Sequence, residues 1–336
     1  MSKQAIVIGI DNYKSAQPLS GCVEDAHRIS ELLELNEDGQ RNMDVLLRTC
    51  GNTDSVSKRS LMVDVAKMFG NNGLQLAVLY FAGHGYVDKI TGEGYLVTYD
   101  GGNNAMDWGL PLSTLLKLAN RSKAHAKLII LDCCHSGSMG QLSSHETINE
   151  PSLLAEGVTI ITASKEDEVA MEYGAHGLFT SLLIDGLQGA AADLKGKITP
   201  AALYTMIDQS LASHEQRPLY KANVQSQFEL RRTKPLIRVE ILRKLFAEYF
   251  TEGSDKTYVL GPEHEPDRGE LTEKYKDIQV DAAKVAAYRD LQVCAKQGLV
   301  EPVEQPYMWH AAMNRTGCKL TALGRYYWKL GKRGRL

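Results

Sequence analysis

The sequence predicts an α/β fold: a mostly parallel β-sheet flanked by helices, followed by a smaller unit of different character. Three observations predict it. Short unbroken apolar runs recur at 5–10, 76–81, 127–131 and 158–163, the pattern of strands buried on both faces of a parallel sheet. Segments with helical spacing alternate with these runs over short links, as they do when helices cover both sides of such a sheet. Beyond Arg231-Arg232-Thr233-Lys234-Pro235 the apolar runs give way to longer helical stretches.

In order along the chain, Ala5-Ile6-Val7-Ile8-Gly9-Ile10 forms the first strand, and a polar loop follows to Ser20. Residues 22–35 place Ala26, Ile29, Leu32 and Leu33 on one side of a helix. Val45-Leu46-Leu47 is a second strand, and Asp54 or Ser55 can cap a helix that runs to about Met68. Residues 76–81 make the third strand. The segment 86–99 reads as an antiparallel excursion, with Gly92-Glu93-Gly94 as a turn. A helix at 110–119 leads to the strand at 127–131. The next stretch, to about 155, has no periodicity; a loop of that length beside a site usually binds substrate or regulates. A buried strand at 158–163 and helices at 179–187 and 200–211 follow, and 224–230 alternates like a last strand.

The predicted domains are 1–232 and 235–336. The second has helices at 239–250 and 282–296, a short strand near 298–301, a hairpin-like stretch to Leu320 and a final helix over 321–330. That order predicts a winged-helix-like unit. It carries 17 Lys+Arg against 14 Asp+Glu, about +3, which leaves about −6 for the first domain. The interspersed acids favour a protein-recognition module over a DNA reader, although Lys329, Lys332, Arg333 and Arg335 offer phosphate contacts. Glu263-His264-Glu265 has no further His or Cys at ligand spacing, so it is expected to be a solvated loop, and no metal site is predicted.

Bulk properties exclude several classes. A net charge of −3 argues against a nucleic-acid coat, and no apolar run approaches the roughly 18 residues of a membrane span. The first ten residues read as a strand rather than a signal peptide. Six cysteines, with no paired short spacing except adjacent Cys133 and Cys134, indicate a reducing compartment; the expected location is cytoplasmic, with no membrane partner.

Two strands end in chemically loaded tips. One runs into Ala82-Gly83-His84-Gly85, the other into Asp132-Cys133-Cys134-His135-Ser136-Gly137. Ligands of open α/β sheets sit at the carboxyl ends of the strands. A Cys there is a candidate nucleophile if a base stands beside it, and neighbouring strands would bring His84 to it.

These residues resemble a known family. Tyr80-Phe81-Ala82-Gly83-His84-Gly85 and Asp132-Cys133-Cys134-His135-Ser136-Gly137 are similar to the two signatures of caspase-like cysteine peptidases, in the metacaspase and bacterial orthocaspase branch. Gly21-Cys22-Val23-Glu24-Asp25-Ala26, Thr162-Ala163-Ser164 and Gly177-Leu178-Phe179-Thr180 also resemble that branch. The likeness covers about residues 1–232 and implies a caspase-like fold.

The resemblance implies Cys134 as nucleophile, His84 as general base and acid, and the N–H groups of Gly85 and Cys134 as the oxyanion hole. It implies a pocket for the residue before the cut formed by Asp25, Asp132, Cys22 and Ala82. Two carboxylates there would select Arg or Lys and repel Asp. Ala82 stands where metacaspases usually have Ser. Ser138-Met139-Gly140-Gln141-Leu142 lacks the acid that calcium-dependent relatives place there, so no cofactor and no calcium requirement are expected. Cys133 is expected in the core and His135 in a structural role. Self-cleavage remains open at Lys195, Lys197 and 231–234. The expected function is a thiol endopeptidase for a specific protein partner, with regulated proteolysis, bacterial defence or cell death as its setting. The alternatives are a catalytically silent adaptor and a DNA-binding regulator acting through 235–336.

Overall fold

A computed structural model describes residues 2–51, 55–88, 90–102, 108–133, 154–163, 172–173, 176–211 and 217–336. The chain divides into two compact units, Met1–Lys234 and Pro235–Leu336.

The first unit contains, in order, β1 (Ser2–Ile10), α1 (Cys22–Glu34), β2 (Asp44–Cys50), α2 (Lys58–Phe69) and β3 (Leu74–Ala82). Next come β4 (Gly85–Val87), β5 (Gly94–Val97), β6 (Gly109–Pro111), α3 (Leu112–Arg121), β7 (Ala126–Asp132) and β8 (Val158–Thr162). It closes with β9 (Glu172–Tyr173), β10 (His176–Gly177), α4 (Leu178–Asp185), β11 (Lys197–Ile198), α5 (Pro200–Ser210), β12 (Leu219–Asn223) and β13 (Arg231–Arg232). Six strands make the central sheet in the order β12-β8-β7-β3-β1-β2. All neighbours run parallel except β12, which pairs antiparallel with β8. This is the mostly parallel, helix-flanked sheet expected.

The apolar runs are continuous because both faces are covered. On one face Ile129 and Leu131 meet Leu61 and Val65 of α2 and Leu115 and Ala119 of α3. On the other, Leu128 and Ile130 meet Ile29 and Leu33 of α1, Leu183 of α4 and Leu203 of α5. Residues alternate between faces along each strand, so the face a site residue occupies follows from its place in the run. The antiparallel excursion is a small sheet, β4-β5-β6.

Local chemistry fixes the helix starts. Ser57 and Ser60 form a reciprocal capping box on α2, and Thr199 caps α5 ahead of Pro200. The N-terminus of α1 is capped from a distance: Asp11 accepts from the N–H groups of Cys22 (2.9 Å) and Val23 (3.4 Å). Gly9 lets this end of the helix approach β1, since a Cβ there would lie 2.2 Å from the Cys22 carbonyl oxygen.

One predicted strand is corrected. Residues 224–230 are not a strand; the antiparallel edge strand is β12, just upstream. The alternation at 224–230 instead reflects a strap whose Phe228 and Leu230 pack into the core, with Leu230 N–H bonded to the Ile198 carbonyl.

The second unit contains α6 (Val239–Lys244), continuing as a π turn through Leu245–Tyr249, then β14 (Thr257–Tyr258), α7 (Ala282–Lys296), β15 (Val300–Pro302), α8 (Met308–Met313), β16 (Cys318–Leu320) and α9 (Ala322–Lys332). The three strands form an antiparallel sheet, β14-β16-β15. Asp290 ties α7 to the first helical stretch, accepting from Lys244 and Tyr249, each at 2.7 Å. The expected hairpin is present as β15 and β16, but its connection carries α8. The expectation of a solvated Glu263-His264-Glu265 loop is corrected: His264 is buried, with its Nδ1 against the Gly261 backbone and its ring edge-on to Tyr258. No helix among the described residues is long and apolar enough to cross a membrane.

Candidate active site

The strands that carry the two sequence signatures are neighbours. β3 and β7 run parallel with Phe81 opposite Leu131 and Ala82 opposite Asp132, so both tips open at the same edge of the sheet. The Gly83 N–H reaches across to the Asp132 carbonyl (3.3 Å). Cys134 lies outside the described residues, as do His135, Ser164 and the 138–142 segment relevant to calcium.

His84 is held from the β1–α1 loop. Its main-chain N–H donates to the Tyr13 hydroxyl (2.8 Å), which donates in turn to the Ile10 carbonyl (2.9 Å). The Tyr13 ring packs on the imidazole with centroids 4.8 Å apart. Gly83 makes room, because a Cβ there would sit 2.7 Å from the Tyr13 hydroxyl oxygen. His84 Nε2 lies 2.8 Å from the Gln17 carbonyl oxygen. A carbonyl can only accept, so Nε2 carries the proton and Nδ1 keeps the lone pair of the neutral ring. Gly85 follows directly and opens β4 opposite Leu96.

Beside this tip two acidic side chains lie on the α1/α4 face of the sheet. Asp25, in the first turn of α1, is 3% exposed. Asp132 is half-buried at the end of β7, and Ala82, its partner across the sheet, is buried. The Thr180 hydroxyl, in the first turn of α4, donates to Asp132 Oδ2 (2.5 Å) and lies 2.7 Å from the Tyr80 hydroxyl. Thr180 has one proton and spends it on the carboxylate, so Tyr80 donates to Thr180.

Burial, followed by the charge of Asp25, pushes the Asp132 carboxyl up to about 6, against the lowering effect of the Thr180 hydroxyl. Burial and the negative charges of Asp11, Asp132 and Asp25 push the Cys22 thiol well up, so it is a neutral thiol rather than a thiolate. Cys133 is buried on the α2/α3 face, the side opposite the acids.

The structure thus brings His84, Gly85, Ala82, Asp132, Asp25 and Cys22 to one end of the sheet. It adds four groups that the sequence reading did not single out for a role: Tyr13, Gln17, Tyr80 and Thr180. Thr180 and Tyr80 lie inside the motif stretches already recognised, which is the one signal that points to them. Gln17 acts through its main chain, so its side-chain identity carries no signal. A groove of about 640 Å³ lies at the opposite, amino end of the strands, near Lys3, His125 and Glu229, and none of the predicted site residues lines it.

A family model described as "Caspase domain" matches residues 2–229. The chain belongs to the caspase-domain family. The fold of this caspase domain is similar to two crystal structures. One is protein GSU0716 from Geobacter sulfurreducens, with 14% identity, a TM-score of 0.51, and coverage of 70% of this chain and 98% of that one. The other is Caspase-1 from Spodoptera frugiperda, with 12% identity, a TM-score of 0.50, and coverage of 69% and 91%. At that identity the likeness concerns the fold alone. No curated protein matches the sequence. The caspase domain is a cysteine-peptidase fold, and the match spans the whole central sheet.

Proposed function

We propose that this caspase domain is an endopeptidase of the metacaspase and orthocaspase type that cuts after Arg or Lys, with Cys134 as nucleophile and His84 as base. The observation that carries the specificity is the pair of carboxylates, Asp25 and Asp132, sunk beside the strand tip that bears His84. A guanidinium can bond both acids in a fork, an ammonium meets them as a point charge, and an Asp side chain meets like charge.

The chemistry follows from the orientation of the imidazole. With Nε2–H fixed by Gln17, Nδ1 takes the proton of the Cys134 thiol. The thiolate attacks the carbonyl carbon after the Arg or Lys, and the oxyanion so formed accepts from the Gly85 and Cys134 N–H groups. The imidazolium returns its proton to the departing amine as the C–N bond breaks, leaving a thioester. Water, deprotonated by His84, then attacks the thioester; the acid product leaves and the thiol is regenerated.

The Pro235–Leu336 unit is proposed as a winged-helix-like module that recognises a protein partner, in the cytoplasm, so that cleavage is confined to few clients. The test uses fluorogenic peptides ending in Arg, Lys or Asp with wild type, Cys134→Ala and His84→Ala. The expected result is turnover of Arg and Lys peptides only, reduced by about 10³-fold or more in both variants. Undiminished turnover in Cys134→Ala, or preference for Asp, overturns the reading.

A further inference from the structure

Behind Asp132, in the proposed pocket, stand two hydroxyls that the proposed chemistry does not use. Tyr80 and Thr180 are both fully buried, yet their hydroxyls form a one-way chain, Tyr80 to Thr180 (2.7 Å) and Thr180 to Asp132 Oδ2 (2.5 Å). The chain ends on Oδ2 of the half-buried Asp132 carboxylate. The two hydroxyls come from different elements, β3 and α4, so the bond also fixes where the α4 N-terminus meets the β7 tip.

We infer that Thr180, backed by Tyr80, is a positioning residue that sets the plane of the Asp132 carboxylate and thereby favours arginine over lysine before the cut. The inference rests on the pocket reading above and deepens it. A guanidinium fork requires two oxygens at a fixed orientation, whereas an ammonium accepts a carboxylate at almost any rotation. An Asp free to turn about its Cβ–Cγ bond would lose the fork first. The Thr180 bond also favours the charged carboxylate, opposing burial and the neighbouring Asp25. Among the described residues, the other ionisable groups beside these acids include the Cys22 thiol and the Tyr80 phenol, both pushed upward and so neutral across the working range.

The experiment compares kcat and KM for matched Arg and Lys peptides in wild type, Thr180→Val, Thr180→Ser and the Thr180→Val/Tyr80→Phe double variant. The double variant removes both hydroxyls and so strands neither donor, which keeps the test open if Thr180→Val alone folds poorly. We expect KM for the Arg peptide to rise about 10-fold in Thr180→Val and in the double variant, with the Lys peptide changing about threefold or less and kcat nearly unchanged. The acid limb of kcat/KM should move to higher pH in the same variants, and Thr180→Ser should restore both properties. A role in packing alone would lower thermal stability and leave the Arg-to-Lys ratio and the pH limb where they are, and that result overturns the inference. If wild type cuts basic peptides and loses activity in Cys134→Ala while Thr180→Val keeps the wild-type ratio, only this inference falls. A wild type with no preference for basic residues sinks the pocket reading and this inference together.

Discussion

The carbonyl oxygen of Gln17 lies 2.8 Å from Nε2 of His84, so a loop residue chooses the tautomer of the proposed base without contributing a side chain. Gln17→Ala should therefore leave kcat/KM within about twofold. Tyr13→Phe should lower kcat about 10-fold, because it removes the acceptor of the His84 N–H and the donor to Ile10 while keeping the ring. Steady-state kinetics on an Arg peptide separates the two. A large loss in Gln17→Ala would mean that the Gln17 side chain, and not its carbonyl alone, holds the imidazole.

The Asp132 carboxyl gives a pH dependence with a definite sign. Its folded value, about 6, lies above the ordinary 3.8, and binding of a cationic side chain needs the charged form. The kcat/KM for Arg peptides should fall as pH drops through about 6. A profile flat from pH 5 to 8 would contradict it.

Stability moves the other way. A carboxyl whose folded value is raised adds nothing adverse below pH 4, where both states hold the proton. Between about 4 and 6 the unfolded chain ionises first, and stability is lost as pH rises through that window. Asp132→Asn should therefore stabilise the protein at pH 8 by on the order of 1–2 kcal/mol after allowance for screening, with little gain at pH 4. The same change should abolish the preference for Arg. Urea midpoints at the two pH values provide the check.

Arg231 bears on self-cleavage. Its guanidinium donates to the carbonyls of Leu32 (2.7 Å), Leu35 (3.1 Å) and Leu187 (2.6 Å), and β13 pairs with β11. A strand-paired segment in which Arg231 is buried enters a protease cleft only after local unfolding. We expect intact mass spectrometry after long incubation to find no cut after Arg231 or Arg232. Arg231→Met should cost about 3 kcal/mol, since three carbonyls lose a charged donor. A fragment ending at either arginine in wild type would run against this.

Chelation should not matter. Ser138 to Leu142 supplies no carboxylate for a hard cation. Activity on an Arg peptide should be the same with EGTA as with millimolar calcium, and a requirement for calcium would point to acids elsewhere in the chain.

Most of the sheet was legible because burial on both faces leaves an unmistakable trace: unbroken runs such as Leu76–Phe81 and Lys127–Leu131 have no other easy home. The misread edge shows the limit of that signal. Residues 219–223 pair along one side only and are half exposed, so Lys221 and Asn223 hide the strand, while the strap at 224–230 alternates for reasons of packing. At the site, His84 and Asp132 stood out as polar groups at the ends of apolar runs, whereas Asp25 was reached only through the family resemblance of its motif. Tyr80 and Thr180 did not, because a buried hydroxyl looks like any other core residue until its partner, 100 positions away, is known. Gln17 could not have been found, since any residue supplies a carbonyl.

The loop from Asp11 to Ser20 joins these threads. Asp11 anchors the helix that bears Cys22 and Asp25, while Tyr13 and Gln17 hold His84. The proposed recognition and the proposed proton transfer are thus tethered to the same ten-residue stretch, so a nick or insertion within it would disturb both in one stroke. A small binder that pulled on this stretch would act as an off-switch without ever entering the cleft.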